Sequence, residues 1–382
     1  MIDPAAPEIR LLSDLVAIPS LSGDEDEIAG FLTETACAWG LGVERDDAGI
    51  MIEVSGRSPG PTLALATHVD TVPPGEGWIR DPYAPEIEDG RLYGRGSGDA
   101  KASVAAMVLA ARDLAERGGP AVGRLLVLLG LSEETRETTM PRLVQRVESA
   151  SGAPIDAAIV GEPTNLDLAI AQRGLLRLDL VAEGEQRHAG RADAGPYVNA
   201  IEVLARDILA LDGLARGRPH ALLGEVTITP TMLEAGVGRN VTPPVARAAL
   251  DVRSTPEWAH AELIELVRGA VRSRVEVVSE RLVPCETPER SRILEAARLV
   301  RPAAREYGSP TSCDWVFLRH ADAIKCGPGT SARSHTPDEC VDLAEVTEAR
   351  RFYAALAAEY LGEEEPRGET EPRGQAEPRG AA

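Results

Sequence analysis

GRGSGDAKASVAAM, residues 94–107, decides how the rest of the chain is read. Three glycines, Gly94, Gly96 and Gly98, lead to a single acid, Asp99, and an alanine-rich apolar run follows. Glycine tolerates positive φ and lets the backbone pass close to its neighbours. The run 102–114 has apolar residues at helical spacing and no proline, so it predicts a buried helix. Asp99 then lies in a tight loop before that helix, either as its N-cap or as a group held for chemistry.

Outward from this loop, other acids and histidines follow short apolar runs. Residues 62–67, TLALAT, end in His68-Val69-Asp70, and strand alternation turns His68 and Asp70 to the same side. The pair is either a metal-binding imidazole oriented by a carboxylate or a plain strand-end hydrogen bond. Residues 125–131 are continuously apolar, the pattern of a strand buried on both faces, and end in Ser132-Glu133-Glu134. Adjacent glutamates there are costly unless something positive compensates them; solvated loop acids are the alternative. Residues 157–160 read as another short strand, ending in Gly161-Glu162-Pro163-Thr164.

Earlier in the chain, 8–17 reads as a helix with Leu11, Leu12, Leu15 and Val16 on one side, ended by Pro19. Ser22 and Glu25 have capping-box spacing and open a helix that turns Ile28, Phe31 and Leu32 inward. Residues 49–54 read as a strand, and Asp89-Gly90 is a hairpin turn within 87–93.

From Gly174 the pattern changes. Leu176, Leu178 and Leu180 alternate with Arg177 and Asp179, as in a half-exposed antiparallel strand. A helix at 198–211, strands at 225–232 and 245–253, a helix at 257–274 and a strand at 275–282 follow. The order βαββαβ spells a ferredoxin-like unit. We therefore expect a larger α/β domain, its sheet mixed but mostly parallel and flanked by helices, built from 1–173 and 285–362 and interrupted by a smaller α+β domain at 174–284. A final helix covers 343–360. Residues 363–382 repeat EPRG three times, have almost no apolar content, and read as a disordered tail.

At 382 residues the chain is long enough for two cored domains. Aromatic content is only 3%, so those cores are aliphatic. A net charge of −21 argues against nucleic acid or an anionic membrane as partner. Five cysteines without a CxxC pair suit reduced thiols in a cytoplasmic protein. The start, MIDPAAPEIR, lacks the basic and apolar regions of a signal peptide.

The ligand-type residues at strand ends and glycine loops are His68, Asp70, Asp99, Glu133, Glu134, Glu162 and His335. In an open α/β sheet such positions converge outside the carboxyl ends of the strands. Imidazoles mixed with carboxylates suit zinc, cobalt or manganese. The set is too large for one catalytic zinc and fits two ions about 4 Å apart with one bridging carboxylate.

HVD, GRGSGDAK, SEE, GEPT and SHTPDE, in this order, resemble the dizinc amidohydrolase family that includes acetylornithine deacetylase, succinyl-diaminopimelate desuccinylase, carboxypeptidase G and aminoacylase. The resemblance covers the chain up to the tail. It implies that His68 and Glu162 hold one zinc (or cobalt), Glu134 and His335 the other, that Asp99 bridges them, that Asp70 orients His68 and that Glu133 is the general base. It also implies a homodimer formed through the inserted domain. His188 in RHAGR matches a position that reaches into the partner's site to stabilise the oxyanion; by itself it reads as a surface histidine. Asn240 and Arg253 match substrate-contacting positions, although Arg253 could simply pair with Asp251. His220, His260 and His320 read as ordinary.

The loop after Asp99 departs from the family pattern at Ala102 and Ser103, and that after Glu134 at Thr135-Arg136-Glu137; neither change removes a ligand. Residues 171–191, 308–315 and 326–339 look most like acetylornithine deacetylases, which implies hydrolysis of N2-acetyl-L-ornithine in arginine biosynthesis. Desuccinylases for succinyl-ornithine or succinyl-diaminopimelate, a hydrolase freeing lysine or ornithine from an acidic carrier protein, and a related carboxypeptidase share that chemistry. A metal-binding protein without catalysis is the reading from another class, and the unligated Glu133 argues against it.

Overall fold

The computed structural model describes residues 3–191 and 195–362; the EPRG repeat lies outside the described residues. The large sheet has nine strands. Gly42–Asp46, Gly49–Ser55, Arg124–Gly130, Thr62–His68, Ala157–Val160, Asp322–Lys325, Leu168–Gln172 and Cys285–Glu286 lie side by side in that order, and Glu306–Ser309 also pairs with Leu168–Gln172. The centre is parallel, from Arg124–Gly130 through Thr62–His68 and Ala157–Val160 to Asp322–Lys325. Antiparallel pairs flank it.

Parallel strands need cover on both faces, and their residues divide accordingly. Leu63, Leu65, Leu125, Val127 and Leu129 pack under the helices Pro7–Ala17, Asp26–Ala38, Lys101–Glu116, Arg292–Val300 and Leu343–Leu361. Ala64, Ala66, Leu126 and Leu128 face helix Met140–Ser151 and the 3₁₀ turn Asp314–Leu318. Each fully buried leucine contributes about 2 kcal/mol.

Segment 174–284 builds a separate four-stranded antiparallel sheet in the order Thr227–Ala235, Val245–Ser254, Gly174–Glu183, Arg274–Leu282. That is the second, third, first and fourth strand of the segment, the ferredoxin-like arrangement that the βαββαβ order predicts. Helices Ala200–Ala210 and His260–Ala270 cover one face over Leu176, Leu178, Leu180 and Val252. The chain enters at Gly174, where a Cβ would lie 2.4 Å from the Ser254 hydroxyl and 2.6 Å from the Pro284 nitrogen, so only glycine fits where the two crossings pass.

One local expectation is corrected and one open alternative is closed. Ser22 and Glu25 form no capping box: the N-cap of helix Asp26–Ala38 is Glu25, with no side-chain cap bond. Nor does Asp99 cap helix Lys101–Glu116, whose N-cap is Ala100 without a side-chain bond. In both cases the side chain serves a distant segment, which local spacing does not reveal. All five cysteines are free thiols. Among the described residues no helix is long and apolar enough to cross a membrane.

Candidate active site

Because the four central strands are parallel, their carboxyl ends emerge at one edge. His68 ends its strand, and Glu133-Glu134, Glu162 and His335 stand in the segments that follow the other three. Asp99 enters the same crevice from the glycine loop. Its Oδ1 lies 3.4 Å from His68 Nε2 and its Oδ2 3.6 Å from His335 Nε2, so one carboxylate spans the two imidazoles. Glu162 Oε1 lies 3.8 Å from His68 Nε2, and Glu134 Oε1 lies 2.8 Å from His335 Nε2. Ligand atoms of His68, Asp99 and Glu134 all fall within 4.8 Å of one another. Two nitrogen donors among carboxylates, arranged about a shared acid, are a donor set that fits divalent metal ions.

Asp70 holds the far side of His68. Its carboxylate is 3.3 Å from His68 Nδ1, and its carbonyl oxygen is 3.0 Å from the same nitrogen, leaving Nε2 to face the crevice. Asp70 also accepts the Glu133 amide at 3.0 Å, the Glu134 amide at 3.1 Å and the Ser22 hydroxyl at 2.7 Å. One buried acid thus fixes an imidazole and the loop bearing both glutamates. Glu25 supports that loop from the other side, accepting the amide and hydroxyl of Ser132, each at 3.0 Å. Ser132 and His335 have φ of +55° and +62°. For side chains other than glycine this region is strained, and such strain gathers where function constrains the backbone.

The carboxylate of Glu133 takes no hydrogen bond or ion pair from the described residues. Burial pushes it well above the usual range, and Asp314, Glu162 and Glu134 add to the shift while His68 opposes it. Burial, then Asp99, pushes Glu162 up to about 8. Burial pushes Asp314 to about 7, although Thr138 donates to its two oxygens at 2.9 and 3.0 Å. Burial opposes the charging of His68, yet Asp70 and Asp99 raise it well above the usual imidazole range.

These shifts fix a sign. In the unfolded chain the carboxyls titrate near 4 and histidine near 6.5, to order of magnitude. Between those values and the raised folded ones, the metal-free native state binds more protons than the unfolded state, so stability falls as pH rises. The melting temperature of metal-free protein should therefore drop from pH 5 to pH 8, and zinc should raise it more at pH 8 than at pH 5. Calorimetry with and without chelator checks this; a flat metal-free profile would contradict it.

His188, Asn240 and Arg253 lie on the second sheet's side and make no hydrogen bond or ion pair to this cluster among the described residues. His188 and Asn240 sit together: His188 bridges Val241, and the Ala189 amide donates to the Asn240 carbonyl at 2.7 Å. Arg253 pairs with Asp251 at 2.7 Å, the simpler of its two readings. His220 bonds Glu286, His260 bonds Ser254 and His320 bonds Glu148.

Residues 64–359 match the description Peptidase family M20/M25/M40. A succinyl-diaminopimelate desuccinylase of Xanthomonas campestris pv. campestris is 30% identical over 382 residues, 92% of this chain and 98% of its own. A probable carboxypeptidase of Aspergillus terreus is 34% identical over 290 residues, 70% of this chain; the match spans 64% of that relative's length, just under two thirds. A family M20 metallo-carboxypeptidase from Sulfolobus solfataricus shares the fold, with a TM-score of 0.74 at 20% identity over 93% of this chain and 99% of its own.

Proposed function

Because the chain belongs to Peptidase family M20/M25/M40, and is thereby a metal-dependent amide hydrolase, we propose that it cleaves the amide of an N-acyl amino acid, with N-succinyl-diaminopimelate as the finer reading of its substrate. The observation that carries the catalytic part is Asp99 reaching both imidazoles while Glu133 beside them is left unbonded. The substrate part rests on relatives matched over most of their length: a second desuccinylase, from Rhodospirillum centenum, is 31% identical over 331 residues, 81% of this chain and 83% of its own. These relatives favour the desuccinylase alternative over the N2-acetyl-L-ornithine expected from sequence resemblance.

In this reading His68 and Glu162 would hold one ion and Glu134 and His335 the other, with Asp99 available to both, and zinc or cobalt would be the metal. Bound there, divalent ions would supply Lewis acidity, lowering the pKa of a water toward neutrality and polarising the scissile carbonyl. Glu133, whose carboxylate is left unbonded beside His68, would accept the proton of the attacking water and return it to the leaving amine. Asp70 keeps the His68 ring and the glutamate loop in place. Segment 174–284 forms the dimerisation domain on a catalytic domain of 1–173 and 285–362; from it His188 reaches the partner's site, while Asn240 and Arg253 contact substrate. Arg253 would exchange Asp251 for a substrate carboxylate, which a guanidinium binds bidentately. Free thiols suit a reduced cytoplasmic setting.

A panel of N-succinyl-diaminopimelate, N-succinyl- and N2-acetyl-L-ornithine, N-formyl amino acids and a dipeptide, assayed with zinc and with cobalt, tests this. N-succinyl-diaminopimelate should lead in kcat/KM by about tenfold or more, at least the discrimination that one methylene's worth of pocket contact supplies. A lead by acetyl-ornithine would restore the other substrate, and no cleavage of any amide by metal-loaded protein would refute the hydrolase.

A further inference from the structure

Glu339, four residues after His335, is 1% exposed, and its carboxylate accepts four hydrogen bonds. Oε1 takes the Gly98 and Asp99 amides, both at 3.0 Å, and Oε2 takes the Gly96 amide at 3.1 Å and Arg95 Nη1 at 2.5 Å. The Glu339 carbonyl also accepts the Gly94 amide at 2.9 Å. Arg95, itself 1% exposed, spends its other end on the Pro74 carbonyl at 3.1 Å and lies over the Trp78 ring at 5.1 Å.

We propose that Glu339 is a positioning residue that clamps the glycine loop so that Asp99 reaches both imidazoles, locking the Asp99 loop to the His335 segment. This rests on the reading of Asp99 as the shared metal ligand. The physical need is clear in the loop's composition. Gly94, Gly96 and Gly98 give the chain freedom to bend into the crevice but no rigidity of their own. A ligand shared by two ions must keep both oxygens in place at once. A carboxylate has about four acceptor sites, and here all are used on the loop or on the arginine beside it. The negative charge is buried against Arg95, so the clamp does not add an unpaired charge to a crowded acidic site. Strand Cys340–Asp342 pairs with Arg91–Tyr93, which places Glu339 beside the loop from the far end of the sequence.

The test is zinc affinity in competition with a chelator, supported by the visible spectrum of the cobalt form and by separate kcat and KM. Glu339→Gln keeps the size but puts an amide NH2 against the Gly96 amide and Arg95. The double variant Arg95→Met/Glu339→Gln leaves no buried charge unpaired and guards against simple misfolding. Both should bind zinc about 10–100-fold more weakly than wild type, the range for residues that orient metal ligands. Their cobalt spectra should change, and kcat should fall more than KM rises, with near-UV circular dichroism retained. Wild-type zinc affinity and cobalt spectrum in both folded variants would overturn the clamp alone. Wild-type protein that retains no zinc would overturn the metal-centre reading and this inference with it.

Discussion

Replacing Glu133 by glutamine is expected to lower kcat by a factor of about 10²–10⁴, the usual contribution of a positioned general base, while both metal ions stay bound. The reason lies in what the loop already does without that side chain. The Glu133 amide is held by Asp70 at 3.0 Å, and the Glu134 amide at 3.1 Å, so the loop keeps its path whatever the Glu133 side chain carries. Its carboxylate takes no bond from the described residues and is pushed up by burial and neighbouring acids. Glutamine matches its shape but cannot accept the water's proton. Elemental analysis and steady-state kinetics on one preparation separate the two effects. Retained metal with lost turnover is the expected pair. Undiminished turnover would remove Glu133 from the mechanism, and lost metal would make it a ligand instead.

The second large effect is expected at His188. The Gly190 amide donates to His188 Nδ1 at 3.1 Å, so in the neutral ring Nε2 carries the proton and is the nitrogen able to donate. His188 is exposed and makes no hydrogen bond or ion pair to the cluster around Asp99 of its own chain among the described residues. A donor serving a partner's oxyanion would have this character. His188→Ala should lower kcat by about 10²–10³, the effect of losing one oxyanion donor, without loss of metal. The decisive measurement mixes it with Asp99→Ala, inactive for a different reason. In a hybrid dimer the His188→Ala chain supplies an intact cluster and the Asp99→Ala chain supplies His188, so one of the two sites is complete. Recovered activity after subunit exchange is the expected outcome. Exchange without recovery would place His188 outside the partner's site, and full activity of His188→Ala alone would make it a surface residue.

Much of this was legible before any coordinates. TLALAT at 62–67 read as a short apolar run and 125–131 as a strand covered on both faces, and the alternation of Leu176, Leu178 and Leu180 marked a sheet of another kind. The order βαββαβ then gave the second unit its topology. The site residues stood out because each acid or histidine follows an apolar strand, and parallel strands end together. Glu339, Arg95, Ser22 and Glu25 were not legible as part of the site. Their partners lie far off in sequence: Glu339 bonds Arg95, Gly96, Gly98 and Asp99, Ser22 bonds Asp70, and Glu25 bonds Ser132. Ser22 and Glu25 even carry the spacing of a helix cap, and nothing local distinguishes the two uses.

By itself, then, the amino-acid order determined which segments are strands and helices and which acids and imidazoles stand at their ends, since hydrophobic period and turn residues act over a few positions. Only the tertiary structure decided which carboxylates meet at Asp99 and which merely hold the loops that carry them. That choice depends on hydrogen bonds between segments brought together by the sheet, whose strand order the local pattern does not encode.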